Sequence, residues 1–159
     1  YPGMEATDDW IVFETEAYQE DFRFGGLPQL HMDVTPLGSG GSIYALMEDC
    51  DSEGYCIHIG HAIMDLRYHE GGNEYQTIVP GQTIRAKMEF FAMDIWIPEG
   101  HKIKLSLRDI GEDYLPPSTE AAVDIDVSGN SVLRLHEVNV DNKLFFEPPV
   151  CLHTDCIEE

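Results

Sequence analysis

TIRAKMEFFAMDIWIPEGHKIKLSL, residues 83–107, is the stretch with the clearest structural pattern in the sequence. Apolar and charged side chains alternate in it twice, from residue 84 to 90 and again from residue 102 to 107. Alternation with a period of two is typical of a strand that has one buried and one solvated face. The segment between the two runs contains Pro98 and Gly100, which predict a turn. The stretch therefore predicts two antiparallel strands joined as a hairpin.

The solvated face of this predicted hairpin holds five of the nine basic residues in the chain. The stretch contains no catalytic nucleophile, no phosphate-binding loop and no metal-binding motif. We therefore expect this stretch to form part of a structural scaffold and not of a catalytic site. The five basic residues are Arg85, Lys87, Lys102, Lys104 and Arg108.

The composition is strongly acidic, because the 159 residues include 30 acidic and 9 basic side chains, for a formal net charge of −21. The phosphate backbone of a nucleic acid attracts basic surfaces, so the composition argues against nucleic acid as a partner. No apolar run is long enough to span a bilayer, and we expect no membrane partner. A high-salt or marine source would explain so acidic a chain, as would calcium-rich surroundings or plain solubility. We expect an extracellular or cell-surface location.

Short strand-like patterns recur along the rest of the chain, and no segment has the period of a long amphipathic helix. About nine or ten strands, spaced roughly 8–15 residues apart, favour an all-β antiparallel sandwich or jelly roll. The chain fits one domain over residues 1–159. Residues 49–55 predict an acidic turn, and residues 60–68 fit either a bent strand or one helical turn. Further strands are predicted at residues 10–13 (buried), 21–24, 30–34, 42–48, 56–59, 123–127 and 133–135.

Four cysteines fall into two close pairs, Cys50 with Cys56 and Cys151 with Cys156. Either pair can close a small loop by a disulfide if the compartment is oxidising, and the alternative is four free thiols. We favour a disulfide between Cys50 and Cys56, because a strand–turn–strand arrangement brings its two ends together. A zinc site is disfavoured, since the spacings are not those of short zinc knuckles.

Three carboxylates within five residues, those of Asp49, Asp51 and Glu53, are candidate ligands of a structural calcium ion, which prefers several oxygen ligands. A solvated turn is the favoured explanation, because the spacing is not that of a twelve-residue calcium loop. Among the histidines, His58 and His61 are three residues apart, so on a regular strand they point to opposite faces. We therefore expect ordinary surface or packed histidines rather than a zinc site.

Aromatic side chains are the candidates for ligand binding, because they can stack on a sugar ring or line a cleft. Trp96 is the first candidate, since residues 94–98 interrupt the alternation where a strand ends and loops carry function. Tyr68 and Tyr114 are the other two candidates. Core packing or an interdomain contact is the default explanation for these residues.

The sequence offers no convincing catalytic serine. A nucleophile elbow has the form Gly-x-Ser-x-Gly and joins a strand to a helix. Its nearest approximation is LGSGG at residues 37–41, which has Leu37 in place of the first glycine and lies between two predicted strands. We therefore predict no catalytic residue in this chain.

Three phrases, in this order and spacing, resemble a known family. They are FGGLPQLHMDV (24–34), IGHAIMDLRYHEGG (59–72) and VPGQTIRAKMEFFAMDIWIPEGHKIKLSL (79–107). Together they are similar to the C-terminal non-catalytic domain of the X-prolyl dipeptidyl peptidase and cocaine esterase (acyl esterase) family of serine hydrolases. The resemblance covers roughly residues 9–136 and implies a jelly-roll β-sandwich of the galactose-binding-like type.

The resemblance also implies that the chemistry takes place in another domain. In this family the catalytic Ser, Asp and His belong to an α/β-hydrolase domain, which would precede Tyr1, so the chain would be a fragment of a larger hydrolase. We expect it to pack on that catalytic domain and help to shape the active-site cleft, and a homo-oligomer is compatible with this role. Two alternatives stay open, a carbohydrate- or ligand-binding module with or without calcium, and an extracellular adhesion module.

Overall fold

Antiparallel strands in three sheets dominate the computed structural model, which describes residues 10–108, 123–126 and 130–138. Within these residues the single helical element is a 3-10 turn, Leu66–Tyr68, and no helix is long and apolar enough to cross a membrane. The strands are β1 (Ile11–Glu14), β2 (Phe22–Gly26), β3 (Gln29–Pro36), β4 (Ser42–Cys50), β5 (Cys56–Asp65), β6 (Ile84–Glu89), β7 (Met93–Ile97), β8 (Lys102–Arg108), β9 (Val123–Asp126) and β10 (Val132–Arg134).

Two four-stranded sheets and one two-stranded sheet contain these strands. The first sheet has the strand order β1-β8-β4-β5. In the second sheet, β3 pairs with β6 along one edge and with β9 and β10 along the other. The third sheet consists of β2 and β7. Each of these pairings is antiparallel, so the strands alternate in direction across every sheet.

The hydrophobic core joins the first and second sheets. Leu30, Met32 and Val34 alternate with half-buried residues along β3, and none of the three is more than 3% exposed. Ala45 and Met47 of β4 belong to the same buried cluster and are fully buried. Two sheets that bury one face each against a common core form a β-sandwich. The predicted all-β antiparallel sandwich is thereby confirmed, and its jelly-roll connectivity stays a prediction.

The prediction of a hairpin at residues 83–107 is wrong, although both of the predicted strands are present. β6 pairs with β3 in the second sheet, whereas β8 pairs with β1 and β4 in the first. Between them lies β7, a strand that the sequence pattern does not predict, and it pairs with β2. Alternation shows which face of a strand is buried, but it does not show which strand is the partner. The basic residues of β6 and β8 therefore lie on two different sheets.

The strand at residues 10–13, predicted to be buried, is instead an exposed edge. β1 pairs only with β8 among the described strands, and its Val12 and Phe13 are 40% and 37% exposed. A short apolar run indicates a strand, but its burial depends on whether a second neighbour covers it.

Two predicted boundaries near β4 and β5 also change. β4 continues through Cys50, so the acidic turn begins later than the predicted residue 49. Residues 60–68 combine both alternatives, because β5 runs to Asp65 and the 3-10 turn follows it. The carboxylate of Asp65 accepts a hydrogen bond from the backbone nitrogen of Arg67 and so caps that turn.

A β-bulge in β5 changes the direction of the side chains that follow it. Met47 of β4 lies opposite Gly60, but the next residue, Glu48, lies opposite His58, so Ile59 is the extra residue. The inserted residue shifts the alternation by one position. His58 and His61 consequently lie on the same face of the sheet, and the prediction that they point to opposite faces is wrong.

Candidate functional site

The face of the first sheet that points away from the core carries a cluster of aromatic residues around an arginine. Tyr44 lies on this face, because its neighbours Ile43 and Ala45 point into the core. Arg108 lies directly opposite Tyr44 in the register. Its guanidinium carbon is 4.9 Å from the ring centroid of Tyr44 and 4.5 Å from that of Trp10. Both rings attract the cation, and we call Trp10, Arg108 and Tyr44 the aromatic row.

A pair of histidines lies on the same face, on β5. His58 is opposite Glu48 in the register, and His61 is on the other side of the bulge. Nδ1 of His61 and Nε2 of His58 are 3.3 Å apart, and the ring centroids are 5.3 Å apart. One ring nitrogen of such a pair donates its proton to the other.

The ring of His61 is held by two aromatic neighbours. It stacks on Tyr44 with a centroid distance of 5.7 Å, and Phe91 meets it in a T-shaped contact at 5.8 Å. Burial of the ring, together with the neighbouring His58, lowers the pKa of His61. Its imidazole is therefore neutral at neutral pH.

The outer face of the second sheet is polar, and two of its cross-strand pairs are joined by side-chain hydrogen bonds. Nη1 of Arg85 donates to Oδ1 of Asp33 at 2.7 Å. Nε2 of Gln29 donates to Oε1 of Glu89 at 3.0 Å, from one strand to its neighbour. A face whose polar groups are paired in this way is suited to contact with water.

His31 occupies a half-buried position on this polar face, directly opposite Lys87. Burial lowers the pKa of His31, and the positive charges of Arg134, Arg85 and Lys87 lower it further. The ring is therefore in an environment that disfavours its charged form.

Two of the three carboxylates of the candidate calcium site, those of Asp49 and Asp51, have separate partners. Asp49 is buried in β4, and its Oδ1 accepts a hydrogen bond from Nδ1 of His101 at 2.9 Å. Oδ1 of Asp51 accepts hydrogen bonds from the backbone nitrogens of Glu53 and Tyr55, which close the turn. Across residues 10–108, 123–126 and 130–138, no three His, Cys, Asp or Glu side chains converge on a possible ion. The calcium site stays a prediction.

The turn after β4 is closed covalently as well. Cys50 and Cys56 are directly opposite in the register of β4 and β5, and their sulfurs are bonded at 2.01 Å. Cys151 and Cys156 lie outside the described residues. Strand pairing therefore brings together the two cysteines of the first pair.

The predicted aromatic ligand-binding residues are on separate elements. Trp96 is half-buried within β7, opposite Arg23, and not at the end of a strand. Tyr68 follows β5, is 38% exposed and contacts Tyr75 edge to face. Tyr114 lies outside the described residues. Neither Trp96 nor Tyr68 is part of the aromatic row.

A family model decides what kind of domain these sheets form. The model of the X-Pro dipeptidyl-peptidase C-terminal non-catalytic domain matches residues 3–114. The chain belongs to this family. The match includes all three phrases on which the resemblance depends, and the resemblance is confirmed. A search of curated proteins finds no match to this C-terminal non-catalytic domain.

Solved hydrolases contain a similar fold. An aminopeptidase from the marine sediment archaeon Thaumarchaeota archaeon has a TM-score of 0.71 and 17% identity over 85% of this chain. An α-amino acid ester hydrolase has a TM-score of 0.72 and 18% identity over 82%, and a CocE/NonD family hydrolase from Staphylococcus aureus has 0.65 and 10% over 81%. The C-terminal non-catalytic domain spans only 27%, 26% and 30% of these three chains.

Sequence reasoning missed the histidine pair and the aromatic row of this non-catalytic domain. A glycine within a strand is a signal of a bulge, and Gly60 stands between the two histidines. That signal could have placed His58 and His61 on one face. The aromatic row depends on the pairing of β4 with β8, for which the sequence carries no local signal.

Proposed function

We propose that this chain is the accessory domain of a larger serine hydrolase, where it packs on the α/β-hydrolase domain and helps to shape the active-site cleft. The parent reaction would be acyl transfer to water, with an ester or the peptide bond after an Xaa-Pro dipeptide as the substrate. The family match over residues 3–114 carries this proposal. The similar structures support it, because they are an aminopeptidase and two further hydrolases of which the matching region is less than a third.

The position of Ser39 also supports a catalytic site in another domain. Ser39 lies in the connection from β3 to β4, so strands precede and follow it. A nucleophile elbow needs a sharp turn from a strand into a helix, which exposes the serine hydroxyl above the sheet.

The outer face of the first sheet is the surface best suited to contact the hydrolase domain. Val12 is 40% exposed on this face, and Phe91, which touches His61, is 74% exposed. Aromatic residues and arginine are enriched in interface cores, and Trp10 and Arg108 of the aromatic row are half-buried on this face, beside the buried Tyr44. The second sheet presents paired charges instead. We therefore propose that the hydrolase domain of the same longer chain covers the first sheet.

Activity measurements test the accessory role. The chain alone and the protein with its upstream sequence are incubated with a fluorophosphonate probe, and hydrolysis of Xaa-Pro anilides and aryl esters is followed. We expect labelling and turnover only in the longer protein, whose upstream sequence should contain a Gly-x-Ser-x-Gly elbow. Turnover by the chain alone that a serine-directed inhibitor blocks would overturn the proposal.

Two matched substitutions test the contact face. Val12 on the first sheet and Val132 on the second are 40% and 39% exposed, so replacing each by glutamate adds the same charge at equal exposure. In the longer protein, Val12→Glu should lower the melting temperature and kcat/KM, and Val132→Glu should leave both unchanged. Equal effects of the two substitutions would show that the first sheet is not the contact face.

A carbohydrate-binding module is the second candidate. Tyr75 is 62% exposed, and the guanidinium of Arg67 lies 5.5 Å from its ring centroid, beside the exposed Tyr68. Exposed tyrosines of this kind can stack on a sugar ring. Glycan-array binding that is lost in Tyr75→Ala would support this candidate, and a flat array would contradict it. The calcium, oligomer and adhesion hypotheses likewise stay open.

A further inference from the structure

The histidine pair has the nitrogen spacing of two ligands of one metal ion. Nδ1 of His61 and Nε2 of His58 are 3.3 Å apart. In a tetrahedral zinc site the Zn–N distance is about 2.0–2.1 Å, so two ligand nitrogens are about 3.3–3.4 Å apart. An ion between the rings would take the place of the proton that one nitrogen now donates to the other. The two nitrogens can then keep their separation, while each ring turns to direct its lone pair at the ion.

The surroundings of the pair favour chelation by holding one ring and leaving the other accessible. His61 is fixed between Tyr44 and Phe91, whereas His58 is exposed to solvent. β5 is the last strand of the first sheet in the described residues, so no further strand covers this site from the side. An ion from solvent can therefore reach the exposed ring of His58, beside the half-buried ring of His61.

The carboxylate that lies opposite the histidine pair in the strand register already forms an ion pair. Glu48 lies opposite His58, and its Oε2 is 3.0 Å from Nζ of Lys104. No third His, Cys, Asp or Glu side chain joins the pair among the described residues. The protein therefore supplies two imidazole ligands, and water occupies the remaining coordination positions.

We propose that His58 and His61 chelate one divalent transition-metal ion of the Zn²⁺, Ni²⁺ and Cu²⁺ class. Imidazole nitrogens prefer these borderline ions, whereas Ca²⁺ and Mg²⁺ prefer oxygen ligands. The expected order of affinity is Cu²⁺ above Ni²⁺ and Zn²⁺, with Mn²⁺ weakest. This site is separate from the calcium site predicted at the acidic turn, and it does not depend on the proposed hydrolase function.

Isothermal titration calorimetry with ZnCl₂ and NiCl₂ tests the site. The full chain is used without a histidine tag and with Cys151→Ser and Cys156→Ser, because thiolates bind zinc more tightly than imidazole does. Excess CaCl₂ is present to saturate weak binding to the many carboxylates. We expect one ion per chain, and His58→Gln or His61→Gln should each weaken binding about tenfold or more, since loss of even an outer-shell partner costs about that much.

A matched control and a spectroscopic measurement complete the test. His136 is also exposed, and His136→Gln should leave the affinity unchanged. Nitrogen-15 NMR of the imidazoles should show zinc-dependent shifts at Nδ1 of His61 and Nε2 of His58. The proposal is overturned if the His58→Gln, His61→Gln double variant binds as tightly as its parent, if one histidine suffices, or if millimolar Zn²⁺ leaves both rings unshifted.

Discussion

Asp49 and His101 form a hydrogen bond that ties β4 to the turn before β8. Nδ1 of His101 donates to Oδ1 of Asp49 at 2.9 Å, and the backbone nitrogen of His101 donates to the carbonyl of Pro98 in the same turn. Asp49 is buried among strand residues. A buried carboxylate needs a partner, so His101 has a structural role that its place in the turn does not reveal.

Removal of this partner should destabilise the domain. In His101→Ala, the carboxylate of Asp49 stays buried without its donor, so we expect the free energy of unfolding to fall by about 1–3 kcal/mol. Urea denaturation measures the change. Adding Asp49→Asn to His101→Ala should recover part of the loss, because the remaining group is then uncharged. A loss no larger than that of the exposed His136→Ala would contradict this role.

The buried hydroxyl of Ser106 should destabilise the folded domain, whereas the hydrogen bond between His101 and Asp49 stabilises it. Ser106 is fully buried on the outer face of the first sheet, and its Oγ has no hydrogen-bond partner among the described residues. Ser106→Ala removes the unpaired group, so the free energy of unfolding should rise by up to about 1 kcal/mol. Ser52→Ala, at an exposed turn position, is the control and should be neutral. Destabilisation by Ser106→Ala in urea would show that the hydroxyl is paired.

The disulfide between Cys50 and Cys56 should stabilise the domain by restricting the unfolded chain. The two residues are six positions apart, and closing so short a loop contributes about 2 kcal/mol in the chain-entropy model. In a chain with Cys151→Ser and Cys156→Ser, adding dithiothreitol should lower the denaturation midpoint. The further variant with Cys50→Ser and Cys56→Ser should have that lower midpoint with or without the reductant. A reductant effect that persists in this variant would contradict the assignment.

The environment of His31 should make stability depend on pH. Because its pKa is lower in the folded state than in the unfolded chain, the unfolded state takes up the proton first as the pH falls. The contribution of His31 to the free energy of unfolding is fully present when the pH is above the unfolded pKa of about 6.5. It is lost as the pH falls through the lower pKa of the folded state. Melting temperatures measured from about pH 8 to pH 5 should fall less steeply in His31→Gln. An identical slope in both proteins would exclude His31 as a source of this dependence.

The sequence predicts the local features of the fold well. A strand is predicted at residues 30–34, and its alternating apolar residues Leu30, Met32 and Val34 are buried, because alternation along one strand is a property of that strand alone. The family match also depends on phrases that are contiguous in the chain. The structure does not bring the predicted aromatic site residues together. Trp96 and Tyr68 are on separate elements, and Tyr114 lies outside the described residues.

The side-chain clusters that the sequence did not predict require contacts between distant residues. Arg108 reaches Tyr44 only because β8 pairs with β4, and His101 reaches Asp49 across 52 positions in the chain. No pattern within a single strand contains such pairings. Gly60 is a local signal of the bulge, but the extra residue, Ile59, is defined only with respect to the partner strand.

From the sequence alone follow the strand-rich class of this domain, its inward-facing residues, its acidic character and its family. These properties are local or compositional, and each can be read from neighbouring residues without knowledge of the partners. Only the tertiary structure decided which strand pairs with which, and thereby where His58, His61 and the aromatic row lie. The physical reason is that backbone hydrogen bonds between distant strands set the register, and a single inserted residue is enough to turn a side chain from one face to the other.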